Sequence, residues 1–508
     1  MFVRKKRNKS GSVSVQIVDK SGGIYKVVQT LGSSSDVDEV QRLFLHGQHL
    51  VHRAPSGQQL LFPVKADSEL VVENFVAGLS NTQIRVVGPE LVFGALFDRI
   101  GFNAIPEELF RHITIARLVY PTSKLKTADY LFRYRGLSMS ASGIYRFMDK
   151  ISDSYKEIVS AIAYRHTKFR LGNISVVFYD MTTLYFESED EDDLRKIGFS
   201  KDGKFQNPQI MLGLLVGEEG LPIGYDIFEG NTFEGHTLLP TLKKIEARYG
   251  FEKPIVVADA GLLSGNNVES LARQGYRFII GGRIKNESEQ IKAEILNHVG
   301  KLKDGEGFEL EKPDGSRLVV IYSCKRARKD AANRDKGVKK LMEQIRSGRL
   351  TKQSINNRGY NKFLSIEGKA TVALDVEKVK ADERWDGLKG YITNTQLTAD
   401  AVAKNYVQLW QIERAFRISK TDLMVRPIYH QLKRRIESHI CIAFAAYAIY
   451  KELERLLKQH GVPMSSKRAA ELTETMYELE YAPEHGERKK QLLRMDAEQQ
   501  QLYNIIRQ

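Results

Sequence analysis

The chain has 508 residues, too many for one ordinary domain, and its 42% apolar and 28% charged content excludes a disordered polymer. Lysine and arginine outnumber aspartate and glutamate by 77 to 63, and the resulting formal charge of +14 favours a polyanionic partner such as nucleic acid. Two cysteines, Cys324 and Cys441, far apart in sequence, do not make a disulfide framework or a four-ligand zinc site, and they suit a reducing cytoplasm.

The start, Met1 to Arg7, is basic with no apolar stretch behind it, so no secretory signal is expected. The basic run Arg4 to Lys9 reads either as a solvated tail or as an arm that touches phosphate. Ser12 to Val18 alternates with the two-residue period of a strand, Gly22-Gly23 turns the chain, and Tyr25 to Val28 returns as a hairpin partner. These residues open a β-rich region assigned to 1–85. From Leu91 to Lys168 the apolar spacing becomes helical, with helices opening near Pro121–Lys124 and Ser140. Arg111, Arg117, Lys124, Lys126, Arg133 and Arg135 make this region, 86–170, basic. It reads as a helical DNA-binding module, or as a packing domain with ordinary surface charge.

At Asn173 the texture changes. Ile174 to Tyr179 is a strand ending in Asp180. Gln209–Val216 and Pro222–Phe228 are strands joined by the turn Gly217–Gly220, and His236–Tyr249 is a helix. Pro254–Ala258 is a buried strand ending in Asp259, a helix begins near Ser264, and Tyr276–Ile280 is one more strand. Three strands, helix, strand, helix, strand is the order of a ribonuclease H-like α/β domain, whose first part is placed at 171–284. Residues 285–395 break the pattern with strand-like Arg317–Ser323, a basic helix Lys325–Arg346 and strand-like Ala370–Asp375, and are taken as an insertion. Its Lys325, Arg326, Arg328, Lys329, Lys336, Lys339 and Lys340 suit phosphate contact or a solvated helix face, and Trp385 suits core packing or stacking on an unpaired base. Helical pattern returns over 396–458, and 459–508 is a charged helical tail. The most apolar window, Ile440–Ile449, is too short to span a bilayer, so no membrane role is expected.

Two of these strands end in a lone carboxylate. An acid there is costly as a core residue but well placed as a ligand, because strand ends open into the crevice of an open α/β sheet. The third element is Asn405 to Lys420, read as one helix. Residues seven apart lie about 20° from eclipsed, so Tyr406, Glu413 and Lys420 share a face with Arg417, while Trp410, Ile412 and Phe416 bury the helix.

Tyr406-x2-Leu409-x3-Glu413-x6-Lys420 resembles the Tyr-x2-Arg-x3-Glu-x6-Lys signature of bacterial insertion-sequence DDE transposases. Phe178–Thr183 and Val257–Gly261 are similar to that group's two aspartate motifs, and Gly230–Thr237 and Arg426–His430 to its flanking blocks. The resemblance covers about 170–455. It implies a ribonuclease H-like core with a β-rich insertion, and a catalytic, metal-binding triad of Asp180, Asp259 and Glu413 holding two Mg²⁺ or Mn²⁺ ions. It also implies phosphate contacts from Tyr406 and Lys420, cleavage at the ends of a DNA element, and transfer of the freed 3′-hydroxyl into target DNA. The partners it implies are double-stranded DNA, as terminal inverted repeats and target, and a second copy of the chain on that DNA, in the bacterial cytoplasm. Leu409 departs from the signature; leucine cannot grip phosphate, and Arg417 is the substitute expected. The competing readings are a nuclease that cuts without joining, a non-catalytic DNA-binding inhibitor derived from a transposase, and a glycosidase, against which two tryptophans and a basic charge speak.

Overall fold

The computed structural model describes every residue except 53–66, 202, 251, 263–264, 351–354, 357–358, 368–370 and 483–486. The chain divides into two units, Met1–Leu79 and Ser80–Gln508. In the first, β1 (Phe2–Arg7), β2 (Val13–Asp19) and β3 (Lys26–Ser34) form an antiparallel sheet that packs on α1 (Val37–His52), with α2 (Asp67–Ala77) following. The basic run is therefore no tail. Phe2 to Arg7 pairs with Val18 to Val13, which satisfies its backbone while Lys5, Lys6 and Arg7 stay exposed. The division falls at Leu79 rather than at 85, because β4 (Ile84–Val86) pairs with a strand near the C-terminus.

Five helices follow β4: α3 (Ala95–Ile100), α4 (Glu108–Val119), α5 (Lys124–Arg135), α6 (Ala141–Lys150) and α7 (Lys156–Leu171). Ser123 and Ser140 cap α5 and α6 by accepting from the N–H groups of Lys126 and Gly143. Next come β5 (Val176–Tyr185), β6 (Gln209–Val216), β7 (Pro222–Glu229), α8 (Leu238–Tyr249), β8 (Ile255–Ala258), α9 (Gly265–Arg273) and β9 (Arg277–Gly282). The expected start of α9, Ser264, lies outside the described residues. The segment beyond holds α10 (Glu289–Asn297), β10 (Gly307–Glu311), β11 (Arg317–Tyr322), α11 (Cys324–Arg346), β12 (Leu364–Glu367), β13 (Thr371–Leu374), α12 (Val376–Glu383) and β14 (Leu388–Thr393). The chain continues with α13 (Ala399–Val407), α14 (Trp410–Arg417), α15 (Lys433–Gln459), α16 (Ser466–Thr473), β15 (Tyr477–Tyr481), β16 (Lys489–Leu492) and α17 (Ala497–Arg507). The tail is thus not purely helical, since β15 pairs with both β16 and β4.

The centre of this unit is an eight-stranded mixed sheet ordered β10-β11-β14-β9-β8-β5-β6-β7, in an α/β arrangement compatible with a ribonuclease H-like fold. β5 runs parallel to β8 and β8 to β9, while β6 and β7 add antiparallel on the other side. Three strands of the 285–395 segment, β14, β11 and β10, continue the same sheet antiparallel beyond β9. Residues of one face, including Val176, Phe178, Leu184, Val257 and Ile279, join the large core formed with α3–α7, α13, α14 and α15. Those of the other, including Val177, Tyr179, Met181 and Ala258, pack on Leu238, Leu242 and Ile245 of α8 and Leu271 of α9. Ile440–Ile449 sits in the buried middle of α15, and no helix among the described residues is long and apolar enough to cross a membrane.

Candidate active site

The two-residue period of strands decides which way the acids face. Phe178 and Leu184 of β5 and Val257 of β8 belong to the core under α13–α15, so Asp180 and Asp259, in the same phase, are directed to that side of the sheet. The parallel pairing of β5 with β8 ends at Tyr179 opposite Ala258, which puts the two aspartates at the next register position of neighbouring strands. Asp259 does follow the end of its strand. Asp180 does not: β5 runs on to Tyr185, because β6 continues to pair with it after β8 has stopped. Thr182 and Thr183 are consequently buried strand residues, and Thr183 Oγ1 accepts from the N–H of Lys201 at 3.2 Å.

The expected single helix from Asn405 to Lys420 is broken. A turn at Gln408–Leu409 separates α13, which lies over β8, β9, β14 and β11, from α14, which lies over β5 and β6. Neither Gly nor Pro marks the break. Leu409 and Ile412, Ala415 and Phe416 are buried, whereas Glu413 and Arg417, one turn apart, are exposed. Trp410, expected to bury the helix, is 45% exposed because the break rotates it outward. Lys420 stands in a π-helical turn, Ile418–Asp422, and is half-buried.

Tyr406 of α13 is buried and reaches down to the sheet, donating from its hydroxyl to Asp259 Oδ1 at 3.2 Å. Burial, with the charges of Asp259 and Glu413, pushes that hydroxyl well above its ordinary pKa. Lys389 of β14 has its ammonium 4.5 Å from the centre of the Tyr406 ring. Burial and Arg326 push its pKa down, while Asp259 and Glu413 act the other way. Asp259 and Glu413 therefore act on the same two side chains. Asp180 is lifted to about 6, first by burial, against Lys201 and the Met181 N–H, with Glu234 and Asp259 adding to the rise. Its Oδ1 accepts from that N–H at 2.7 Å, and the Lys201 ammonium stands 3.7 Å from it, 2.8 Å from Glu234 Oε1 and 2.7 Å from the Met181 carbonyl.

Asp259 and Tyr406 line a cleft of about 560 Å³ that extends past Arg283, Lys285 and Lys389 to Arg326, Arg334 and Trp385. The 285–395 segment thus forms one wall. Several of its cations are already matched: Arg334 with Asp386, Lys285 with Asp382, Arg326 with Asp330. Among the described residues, no group of three or more His, Cys, Asp or Glu side chains is close enough together to hold a metal ion. Of the three acids Asp259 lines this cleft, while Asp180 neighbours it in the sheet and Glu413 shares with it an influence on Tyr406 and Lys389.

Of the six cations expected to give the helical region a basic surface, four are spent inside it. Arg111 pairs with Glu90 and Asp98, Arg135 with Glu90, and Arg117 and Lys124 are buried. Sequence reasoning missed Lys201 and Lys389 at the site. Lys201 lies in a polar stretch with no periodicity, and Lys389 sits on a strand whose neighbour in the sheet is set by tertiary pairing.

The profile of the transposase DDE domain matches residues 172–449, more than half of the chain, with Asp180, Asp259 and Glu413 inside it. No curated protein matches in sequence. Among solved structures, similarity extends to the piggyBac transposase synaptic complex with hairpin DNA, at 9% identity and a TM-score of 0.38 over 76% of each chain. It extends also to the Mos1 transposase paired-end complex with left transposon end, at 10% identity and a TM-score of 0.16 over 48% of this chain and 67% of that one. With all eight strands of its central sheet, α13, α14 and the larger part of α15 inside the matched span, the chain belongs to the transposase DDE-domain family.

Proposed function

We propose that the protein is a DNA transposase that cuts at the ends of an insertion sequence and joins the freed 3′-hydroxyl to target DNA in a divalent-metal-dependent reaction. The observation that carries the reading is the placement of Asp180 and Asp259 at adjoining register positions on the face that α13 and α14 cover, with Tyr406 tied to Asp259. The run β7-β6-β5-β8-β9, antiparallel then parallel, is read as the ribonuclease H-like part of the sheet.

Asp180, Asp259 and Glu413 are assigned as catalytic metal ligands. The donor set fits: three carboxylates offer the hard oxygens that Mg²⁺ or Mn²⁺ prefers. Two such ions, when bound, supply an activated nucleophile and neutralise the leaving oxygen. Asp180 is held by the sheet on both flanking residues, and Asp259 is oriented by the Tyr406 hydroxyl. Glu413 arrives from α14, a separate short helix, and shares its exposed face with Arg417. Tyr406, Lys420 and Arg417 are assigned to the DNA phosphates, Arg417 filling the role that buried Leu409 cannot. The substrate is double-stranded DNA, both terminal repeats and target, held by two copies of the chain in the bacterial cytoplasm.

The test is incubation with Mg²⁺ and labelled duplex carrying the inverted repeats that flank the gene, with Glu413→Gln beside the wild type. Cleavage and joined product from the wild type alone support the reading; cleavage without any joined product reduces it to a nuclease. Undiminished strand transfer by Arg417→Ala would remove Arg417 from the assignment.

A further inference from the structure

Four basic side chains that this reaction leaves unused lie together behind the segment that follows α14. Arg117 is near the end of α4, Lys124 is the first residue of α5, His430 precedes α15, and His439 is in its second turn. Arg117, Lys124 and His439 are each 5% exposed. The His430 and His439 rings are 5.2 Å apart, and His430 packs edge-on to Tyr145 at 5.8 Å. Arg117 Nη1 is 3.5 Å from the carbonyls of Leu423 and Met424, and a His439 ring nitrogen is 2.9 Å from that of Val425. Met424 holds φ at +48°, strained for a residue with a side chain, in the stretch that turns these carbonyls inward.

Carbonyl dipoles do not neutralise two cations. Among the described residues no carboxylate pairs with Arg117 or Lys124, and the Lys124 ammonium has no hydrogen-bond partner. The nearby Arg435 is already matched by Asp149 at 2.9 Å. Burial and mutual repulsion press Lys124 and His439 well below their ordinary pKa, and His430 to about 3. Buried positive charge without a partner is costly, and this protein avoids it elsewhere: Arg170 and Arg455 close on Glu452 at 2.9 and 2.8 Å. What is missing here is an anion.

The fold indicates which. Ile428 makes a parallel bridge with Phe186, the residue after β5, so the segment carrying His430 is tied to the strand that carries Asp180. Six residues of extended chain separate Phe186 from Asp180, about 20 Å. A duplex bound across the acids, as proposed above, would carry backbone phosphates within that distance. We propose that Arg117, Lys124, His430 and His439 form a niche for one phosphate group of the DNA backbone, gripping the substrate away from the bond that is cut.

The inference rests on the DNA reading above, and the experiment separates the two. Lys124→Met removes the unpaired ammonium and keeps the volume; Lys124→Gln does so with a polar end. Each is compared with the wild type in duplex binding across salt concentrations, and in thermal melting with and without inorganic phosphate. The expected result is melting no lower than wild type in buffer, a salt slope smaller by about one, and weaker duplex binding. Phosphate should raise the melting temperature of the wild type and not of the variants. Unchanged slope and affinity in both variants overturn the niche. If the wild type binds no duplex yet phosphate stabilises it alone, the niche stands as a free-anion site and the DNA reading fails. No phosphate effect and no binding overturn both.

Discussion

The Asp259 carboxylate receives two hydrogen bonds on one oxygen, from its neighbour's N–H at 2.8 Å and from the Tyr406 hydroxyl at 3.2 Å. Only the second comes from another element, so it alone fixes the acid relative to α13. A hydrogen bond to a charged group contributes about 1.5–3 kcal/mol, so Tyr406→Phe should slow DNA cleavage roughly tenfold or more while melting stays close to wild type. A gel assay with labelled duplex reads this, and equal rates would show that the hydroxyl orients nothing. Lys201 is a second residue-scale lever: its ammonium stands 3.7 Å from Asp180, so under the proposed function it competes with a cation there. Lys201→Met should tighten Mn²⁺ binding to the DNA-free protein, measured by paramagnetic resonance, because a like charge is removed. That Asp180 and Asp259 adjoin apolar strands, and that Tyr406 lies on a helix, was legible in the sequence from the runs around them. Lys201 and Lys389 were not. A lysine carries no mark of which acid it faces until the chain is folded.

At the scale of elements, the site depends on a close approach. A Cβ on Gly281 of β9 would stand 2.7 Å from the Tyr406 hydroxyl and 3.4 Å from the Ala260 Cβ, so the tyrosine lies against bare backbone. Gly281→Ala should displace the ring and mimic Tyr406→Phe in cleavage, and the double variant should fall no further than the worse single one, because both remove the same bond. Additive losses would mean that Gly281 acts elsewhere. The strands β5 to β9 were readable because each is a short, nearly continuous apolar run bounded by turns. The sheet beyond β9 was not: Arg317–Ser323 looked strand-like, but nothing local says that β11 pairs with β14 and β14 with β9. The break at Gln408–Leu409 was equally hidden. The residues there are good helix formers, and the interruption comes from α13 and α14 packing over different strands.

For the whole molecule, the positive surplus is only partly on display. Arg111, Arg117, Lys124 and Arg135 are consumed in the helical region, so a count of cations overstates the basic surface there. One of the internal networks has a pH signature. Burial alone would raise the pKa of Glu452, but hydrogen bonds from Arg455 and His166 bring it down to about 2, from an ordinary glutamate value of 4.5. A depressed carboxylate stabilises the fold above its unfolded pKa and loses that contribution as pH falls towards the folded one. The wild type should thus lose on the order of 2–3 kcal/mol between about pH 4.5 and 2 from this group, and Glu452→Gln should be destabilised at neutral pH with a shallower acid slope. Urea melts at several pH values read both. The separation of Met1–Leu79 from Ser80–Gln508 leads to a further expectation: the larger unit expressed alone should keep its cooperative melt within a few degrees of the full chain. A broad, early transition would show that the smaller unit completes its core.

The interruption ahead of α14 has a practical consequence for spectroscopy. The protein has two tryptophans, one on the cleft wall and one, Trp410, as the first residue of the helix that bears Glu413. With Trp385→Phe, all indole emission would originate from that helix, half-open to water and 5.9 Å from the Arg414 guanidinium. Its quenching and wavelength then become an optical gauge of whether the short segment rotates when substrate or ions are added, with no label introduced.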